Sequence, residues 1–356
     1  MTESEQSASW TCRSYGCLAD GSEVEAWSLR GAGGMEMEIL SYGAAISRLA
    51  VPDGDGGLVD VVLGHETMAD WERANESYFG VIAGRIAGRV PGGRLAFEGQ
   101  KYQLACNDRG NHLHGADGGL DKCLWEGEPL TLEDGTIGVR MHYRSPDREG
   151  GYPGTVEISA TFLLTPDNAF VFETEATADQ VTPVSLAQHS YFNLTGAGHG
   201  STEGHEIQIF AEQVMSTDEK ITPLGVAEAV EGTAADLRQP RLLSGVIPGL
   251  WQEHGDLYRL SEEVGLKPAA RLFDPQSGRV MKVSTTHDFL QFYTAAHLDG
   301  SLIGKGGQAY PKHGGLCFEC QGYPDPSAGF GDILVWPGQV QKHKTIYAFS
   351  NEETRS

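Results

Sequence analysis

The chain is short of cysteine, of basic residues, of helical periodicity and of long apolar runs. Six cysteines in 356 residues are too few for a disulfide scaffold. The 26 Lys and Arg are outnumbered by 49 Asp and Glu, a formal net charge of −23. That balance argues against nucleic acid, whose phosphates need clustered cations, and against an anionic membrane surface. No run of 18 apolar residues appears, so no transmembrane helix is expected. The opening "MTESEQSASW" has neither a basic region nor an apolar one, so no secretory leader is expected. Together these absences point to a cytoplasmic protein with reduced thiols.

Glycine, by contrast, is abundant. Gly 47 and Pro 16 punctuate the chain at short intervals. Between them lie alternating runs such as "MEMEILSYGA", "TVEISATFLL", "AFVFETEATA" and "FLQFYTAA", rich in Val, Ile, Phe, Tyr and Thr. In "VFETEATA", Val171, Glu173 and Glu175 share one face and Phe172, Thr174 and Ala176 the other. Such strands recur without regular helices between them, so the expected class is all-β and antiparallel. The only helical candidates are "HETMADWERAN", starting near His65 or Thr67, and a turn at "SEEVGL". No linker divides the chain. One large β-sandwich domain over residues 11–356 is expected, with residues 1–10 disordered. Hydrophobic residues make up 40% of the chain, enough for a sizeable core.

Four segments carry candidate chemistry. "GRIAGRVPGGRL" places Arg85, Arg89 and Arg94 in a glycine-rich background. Either one arginine points into a cleft as a multiple donor for hydroxyls, or all three pair with surface carboxylates. "CNDRGNHLHGADGGLDKCLWEG" crowds Asn107, Asn111, His112 and His114 before a loop, with Trp125 available for the apolar face of a polyol. "SLAQHSYFNLTG" sets His189 within a strand pattern. It is either a satisfied core histidine or a proton-transfer residue. "YPKHGGLCFECQGYPDP" buries Glu319 in an apolar run, which is costly for a carboxylate without partners.

Metal and redox readings are weaker. "CFEC" at 317–320 lacks a second pair and is followed by turn chemistry. "HLH" at 112–114 lacks a third ligand nearby, and "GAGG" at 31–34 reads as a turn rather than a nucleotide loop. A histidine and a glutamate far apart in sequence suit moving protons on and off oxygens near neutral pH. Glycoside hydrolysis usually needs two carboxylates instead.

These four segments, in this order, resemble the aldose 1-epimerase family, the galactose mutarotases. "GRIAGRV" resembles G-R-x-x-N-R-I, and "NDRGNHLHG" resembles N-x-x-x-N-x-L-H-G. "HSYFNL" matches H-x-Y-F-N-L. "QFYT" and "YPKHGGLCFECQ" resemble the family's Q-F-Y-T and Y-x-K-H-x-G-x-x-x-E-x-Q. The likeness runs from about residue 25 to 350. It implies a β-supersandwich with an open sugar cleft, acting in carbohydrate metabolism without metal or organic cofactor. It implies interconversion of α and β anomers of free aldohexoses such as galactose and glucose. Glu319 would be the general base at the C1 hydroxyl and His189 the general acid at the ring oxygen. His114 would hydrogen-bond near either oxygen, while Arg89, Gln291 and Asp256 would bind hydroxyls. A nearby carboxylate, Glu319 or Asp256, would keep His189 protonated. The resemblance leaves monomer or homodimer open.

The chain departs from the family pattern in places. The Asn before Arg89 is Gly88, the second Gly of H-G-G is Ala116, and "QFYT" is followed by Ala295 and Ala296. Asp256 lacks its usual following His, and the loop after "YPD" reads Pro326-Ser327-Ala328. These differences bear on substrate preference rather than reaction type. Two other readings compete. One is a hexose 6-phosphate epimerase using Arg85 and Arg94; the other is a sugar-binding β-sandwich without catalysis.

Overall fold

The computed structural model describes residues 8–53, 56–73, 77–331 and 333–352. Every strand pairing among them is antiparallel. The largest sheet has nine strands. In spatial order they are Glu126–Thr131, Ile137–Ser145, Val156–Leu164, Ala169–Ala178, Gln341–Asn351, Arg279–Thr285, Lys267–Phe273, Glu206–Ile209 and Arg241–Leu242. A five-stranded sheet is built from Ser9–Cys17, Glu23–Arg30, Glu36–Leu40, Ile46–Pro52 and Leu58–Asp60. A second has the order Pro223–Ala229, Gln213–Thr217, Leu257–Arg259, Phe289–Tyr293 and Cys317–Gln321.

Alternation explains why these strands pack. Phe172, Thr174 and Ala176 point inward, while Glu173 and Glu175 face out and pair across the strand with Lys344 and Lys342, each at 2.6 Å. One apolar core joins Ile39 and Ile46 of the first five-stranded sheet to Val139, Ile158 and Phe162 of the large sheet. Leu290 and Phe318 of the second five-stranded sheet belong to the same core. Sheets buried face to face in this way form the expected antiparallel sandwich.

The helical expectations divide. Met68–Arg73 is a helix that buries Met68 and Trp71. Thr67 Oγ1 accepts from the Asp70 amide (3.3 Å) and donates to the Asp70 carboxylate (2.6 Å), a reciprocal cap. "SEEVGL" forms no helix: Val264 is fully exposed and Gly265 has φ +100°. With nothing apolar to bury, one isolated turn is not stable. A short helix at Leu243–Val246, with both end residues buried, escaped the sequence reading. Of the stretch 1–10 expected to be disordered, the last residues are ordered. Ser9 and Trp10 belong to the first strand, pairing with Arg30 and Leu29, and the Trp10 ring lies 5.9 Å from that of Trp27. Residues 1–7 lie outside the described residues.

Candidate active site

Strand register assembles the floor of a cleft. Glu319, in the middle of Cys317–Gln321, lies directly opposite Gln291, which in turn lies opposite Leu257. Asp256 precedes that strand, and its carbonyl accepts from the Phe292 amide (3.0 Å). Neighbouring strands thus present Glu319 and Gln291 to one side, and Asp256, in the segment leading into Leu257, reaches the same cleft. The opposite wall comes from two short pairings. Arg89–Val90 pairs with His112–Leu113, which sets Arg89 beside the turn carrying His114. Ala187–Gln188 pairs with Ile82–Ala83 and delivers His189, whose amide donates to the Val81 carbonyl (2.9 Å).

All six expected site residues, Arg89, His114, His189, Asp256, Gln291 and Glu319, line a single cleft of about 430 Å³. Its centre is a buried triplet. His189 Nε2 lies 3.5 Å and His114 Nε2 3.8 Å from Glu319 Oε2. The two rings stand perpendicular, 5.1 Å apart, and Tyr78 and Tyr191 pack against them. Glu319 is only 2% exposed, and Oε2 has no hydrogen-bond partner among the described residues.

Burial governs the protonation of this triplet. It pushes the Glu319 carboxyl up to about 8, and Arg89 counters only part of that rise. It lowers His189 to about 4 and His114 well below its ordinary value, with the neighbouring His189 pushing His114 further down. Near neutral pH the pair therefore holds its proton on Glu319. The sequence reading expected a carboxylate to keep His189 charged. Desolvation of both partners outweighs that attraction. Asp256, raised by burial to about 6, makes no ion pair with His189 among the described residues.

The tautomer of His114 follows from its other nitrogen. The Gly88 amide donates to His114 Nδ1 (3.1 Å), so the neutral ring carries its proton on Nε2, facing Glu319. This bond also bears on metals. The three facing atoms of His114, His189 and Glu319 lie within 4.8 Å of one another, close enough to converge on one ion. The His114 atom that would ligate, however, is the protonated one. Metal-binding histidines normally donate from the distal nitrogen, the reverse of what Gly88 imposes.

Several other candidates fall elsewhere. Arg85 is buried and donates to Ser145 Oγ (2.9 Å) and to the carbonyls of Ser145, Pro146 and Pro153 (2.9–3.1 Å), a structural knot outside the cleft. Arg94 does not line the cleft either. Trp125 is buried and donates to the Leu120 carbonyl (3.2 Å), so it offers no face to a ligand. His112 is spent on Ala105 and Tyr152, and Asn111 on Gly92 and Thr222. Cys317 and Cys320 are both free thiols. Arg89 makes a 2.7 Å ion pair with Asp108, itself a lining residue.

Sequence reasoning missed Tyr78, Tyr191, His254, Tyr293, His297 and Gln321 on the cleft wall. Tyr191, Tyr293 and Gln321 stood inside quoted motifs, two residues from His189, Gln291 and Glu319, and strand alternation puts Tyr293 and Gln321 on the same face as Gln291 and Glu319. The others carried no local signal.

A family model described as aldose 1-epimerase matches residues 25–348. The galactose mutarotase of Rattus norvegicus is 40% identical over 334 residues, covering 93% of this chain and 95% of that protein. The galactose mutarotase of Homo sapiens is 38% identical over 321 residues, covering 89% and 91%. Among solved structures, an aldose epimerase homologue from C. elegans superposes with a TM-score of 0.82 at 25% identity, covering 90% and 97%. Galactose 1-epimerase from Lactobacillus acidophilus NCFM shares the fold at a TM-score of 0.85 and 24% identity, covering 98% and 100%. Likeness of this degree over most of the chain, whose cleft gathers Glu319, His114, His189, Arg89, Gln291 and Asp256, places the protein in the aldose 1-epimerase family.

Proposed function

We propose that the chain interconverts the anomers of free aldohexoses, galactose and glucose among them, through proton exchange at Glu319 and His189. The observation that carries this reading is Glu319 Oε2, buried and unpartnered among the described residues, facing two imidazole nitrogens at 3.5 and 3.8 Å. Opening a hemiacetal needs one proton removed from the C1 hydroxyl and one delivered to the ring oxygen. The Glu319–His189 pair supplies both from a single stored proton. Passing that proton to His189 leaves Glu319 as the base at the C1 hydroxyl and His189 as the acid at the ring oxygen. The C1–O5 bond breaks, the aldehyde turns about C1–C2, and closure on the other face returns both protons. No net proton is gained or lost.

The remaining groups fit the same scheme. His114, fixed as an Nε2–H donor, bonds whichever of the two oxygens carries charge as the bond breaks. Arg89, Gln291 and Asp256 hold ring hydroxyls. Arg89 is oriented by Asp108, and Gln291 Nε2 donates to the Phe292 carbonyl (3.0 Å), leaving its oxygen to accept.

Polarimetry on freshly dissolved α-D-galactose and α-D-glucose tests the reading. Catalytic protein is expected to hasten the approach to the same final rotation. Glu319→Gln and His189→Asn are each expected to lower kcat by about 10²–10⁴-fold. If His189→Asn keeps its kcat and only KM rises, His189 is a binding residue and the acid lies at His114. If the folded wild type has no effect on either sugar while binding both, the protein is a sugar-binding sandwich.

A further inference from the structure

The hydrogen bonding of two buried glutamines differs sharply. Gln188 is saturated: Nε2 donates to the Gly80 carbonyl (3.0 Å) and to Ser190 Oγ (2.8 Å), and Oε1 accepts from the Ser190 amide (2.9 Å). Gln321 is only 1% exposed and lines the cleft, yet its Oε1 has no partner among the described residues. Its Nε2 makes a single long contact to the Gly322 carbonyl (3.4 Å). A buried amide oxygen left unpaired costs about 1–3 kcal/mol unless something else satisfies it.

The backbone has been arranged to admit this side chain. Gly88, across the cleft, has φ +84°, and a Cβ there would meet Gln321 Nε2 at 2.7 Å and Oε1 at 3.5 Å. In the family segment that the sequence resembles, this position is Asn. Here the space goes to the glutamine amide. Gln321 also sits two residues beyond Glu319 on one strand, hence on the same face and about 7 Å along it. If Glu319 is at the C1 hydroxyl, that separation carries Gln321 to the far side of a hexose ring.

We infer that Gln321, seated by Gly88, is a specificity-determining residue whose Oε1 accepts a hydrogen bond from a ring hydroxyl remote from the anomeric carbon. The inference rests on the aldose reading of the site.

The test compares galactose with its 2-, 3- and 4-deoxy analogues as substrates for wild type, Gln321→Met and Gly88→Ala. Gln321→Met keeps the side-chain volume and removes the acceptor. It is expected to raise KM for galactose about 10- to 100-fold with kcat changed far less. One deoxy analogue is expected to be penalised in the wild type yet show no further loss in the variant. Gly88→Ala, by pushing the amide aside, is expected to show the same selectivity among the analogues, with a fall in kcat besides because the Gly88 amide also holds His114 Nδ1. Gln321→Ala is the alternative if Gln321→Met is insoluble. Equal losses on galactose and every analogue, or a fall in kcat alone, overturn the inference while leaving the epimerase reading intact. A wild type that accelerates none of these sugars overturns both.

Discussion

A carboxyl group and two imidazoles can share a buried site only if little charge accumulates there. In this cleft that condition is met by a single proton on the Glu319–His189 pair. The pH dependence follows from the two shifts. Below about 4 His189 takes up a second proton, leaving both groups protonated and no base. Above about 8 Glu319 loses the stored proton, leaving no acid. The profile of kcat/KM for galactose is therefore expected to be a broad bell, with an acid and an alkaline limb that report the titration of the pair. Residual activity of Glu319→Gln is expected to lose the alkaline limb. An alkaline limb that survives unchanged in Glu319→Gln would assign it to a different group.

At the scale of the element, the site depends on turns that present side chains from neighbouring strands. The turn after His114 is tight. Gly115 has φ +96°, and a Cβ there would meet the Gly84 carbonyl oxygen at 2.1 Å and Gly119 Cα at 2.5 Å. That same carbonyl accepts from the Leu120 amide (3.2 Å). Gly115→Ala must therefore push apart the 84–85 and 119–120 backbones, displacing His114. The expected cost is at least about 2 kcal/mol, read as a lower thermal midpoint together with reduced kcat in the folded fraction. Unchanged stability would show that the loop adapts freely. Such turns also mark what was legible in the chain. Strands and their inward faces were readable because apolar residues alternate, and the Glu319 and His189 motifs were readable from resemblance. The three arginines of 84–94 were not separable, because one glycine-rich stretch sends Arg85 into a backbone knot and Arg89 into the cleft. Trp125 looked available for stacking, but it is buried with its ring 5.4 Å from that of Tyr143 and its amide donating to the Ser41 carbonyl, partners remote in sequence. Ala116 and Ala295, where the family pattern often has glycine, still adopt left-handed backbone at φ 51° and 53°, so composition alone would not have placed those turns.

On the scale of the whole molecule, charge discriminates between substrate classes. The net charge of −23 surrounds a cleft in which Arg89 is already neutralised by Asp108. Arg109, on the cleft rim, donates to Gln252 (3.0 Å) and has no carboxylate partner among the described residues. Arg85 and Arg94, the arginines that could have served a hexose 6-phosphate, do not line the cleft. A neutral hexose feels none of this field, so kcat/KM for galactose is expected to stay within about twofold as salt rises through the range over which the Debye length falls from about 10 Å to about 3 Å. A dianionic hexose 6-phosphate meets the global repulsion. Its kcat/KM is expected to start far lower and to rise with salt as the repulsion is screened. Stopped-flow polarimetry of galactose and galactose 6-phosphate over one salt series decides between the classes. If the phosphorylated sugar is the faster substrate and loses rate with salt, the local field of Arg109 dominates over the net charge, and the cleft serves sugar phosphates.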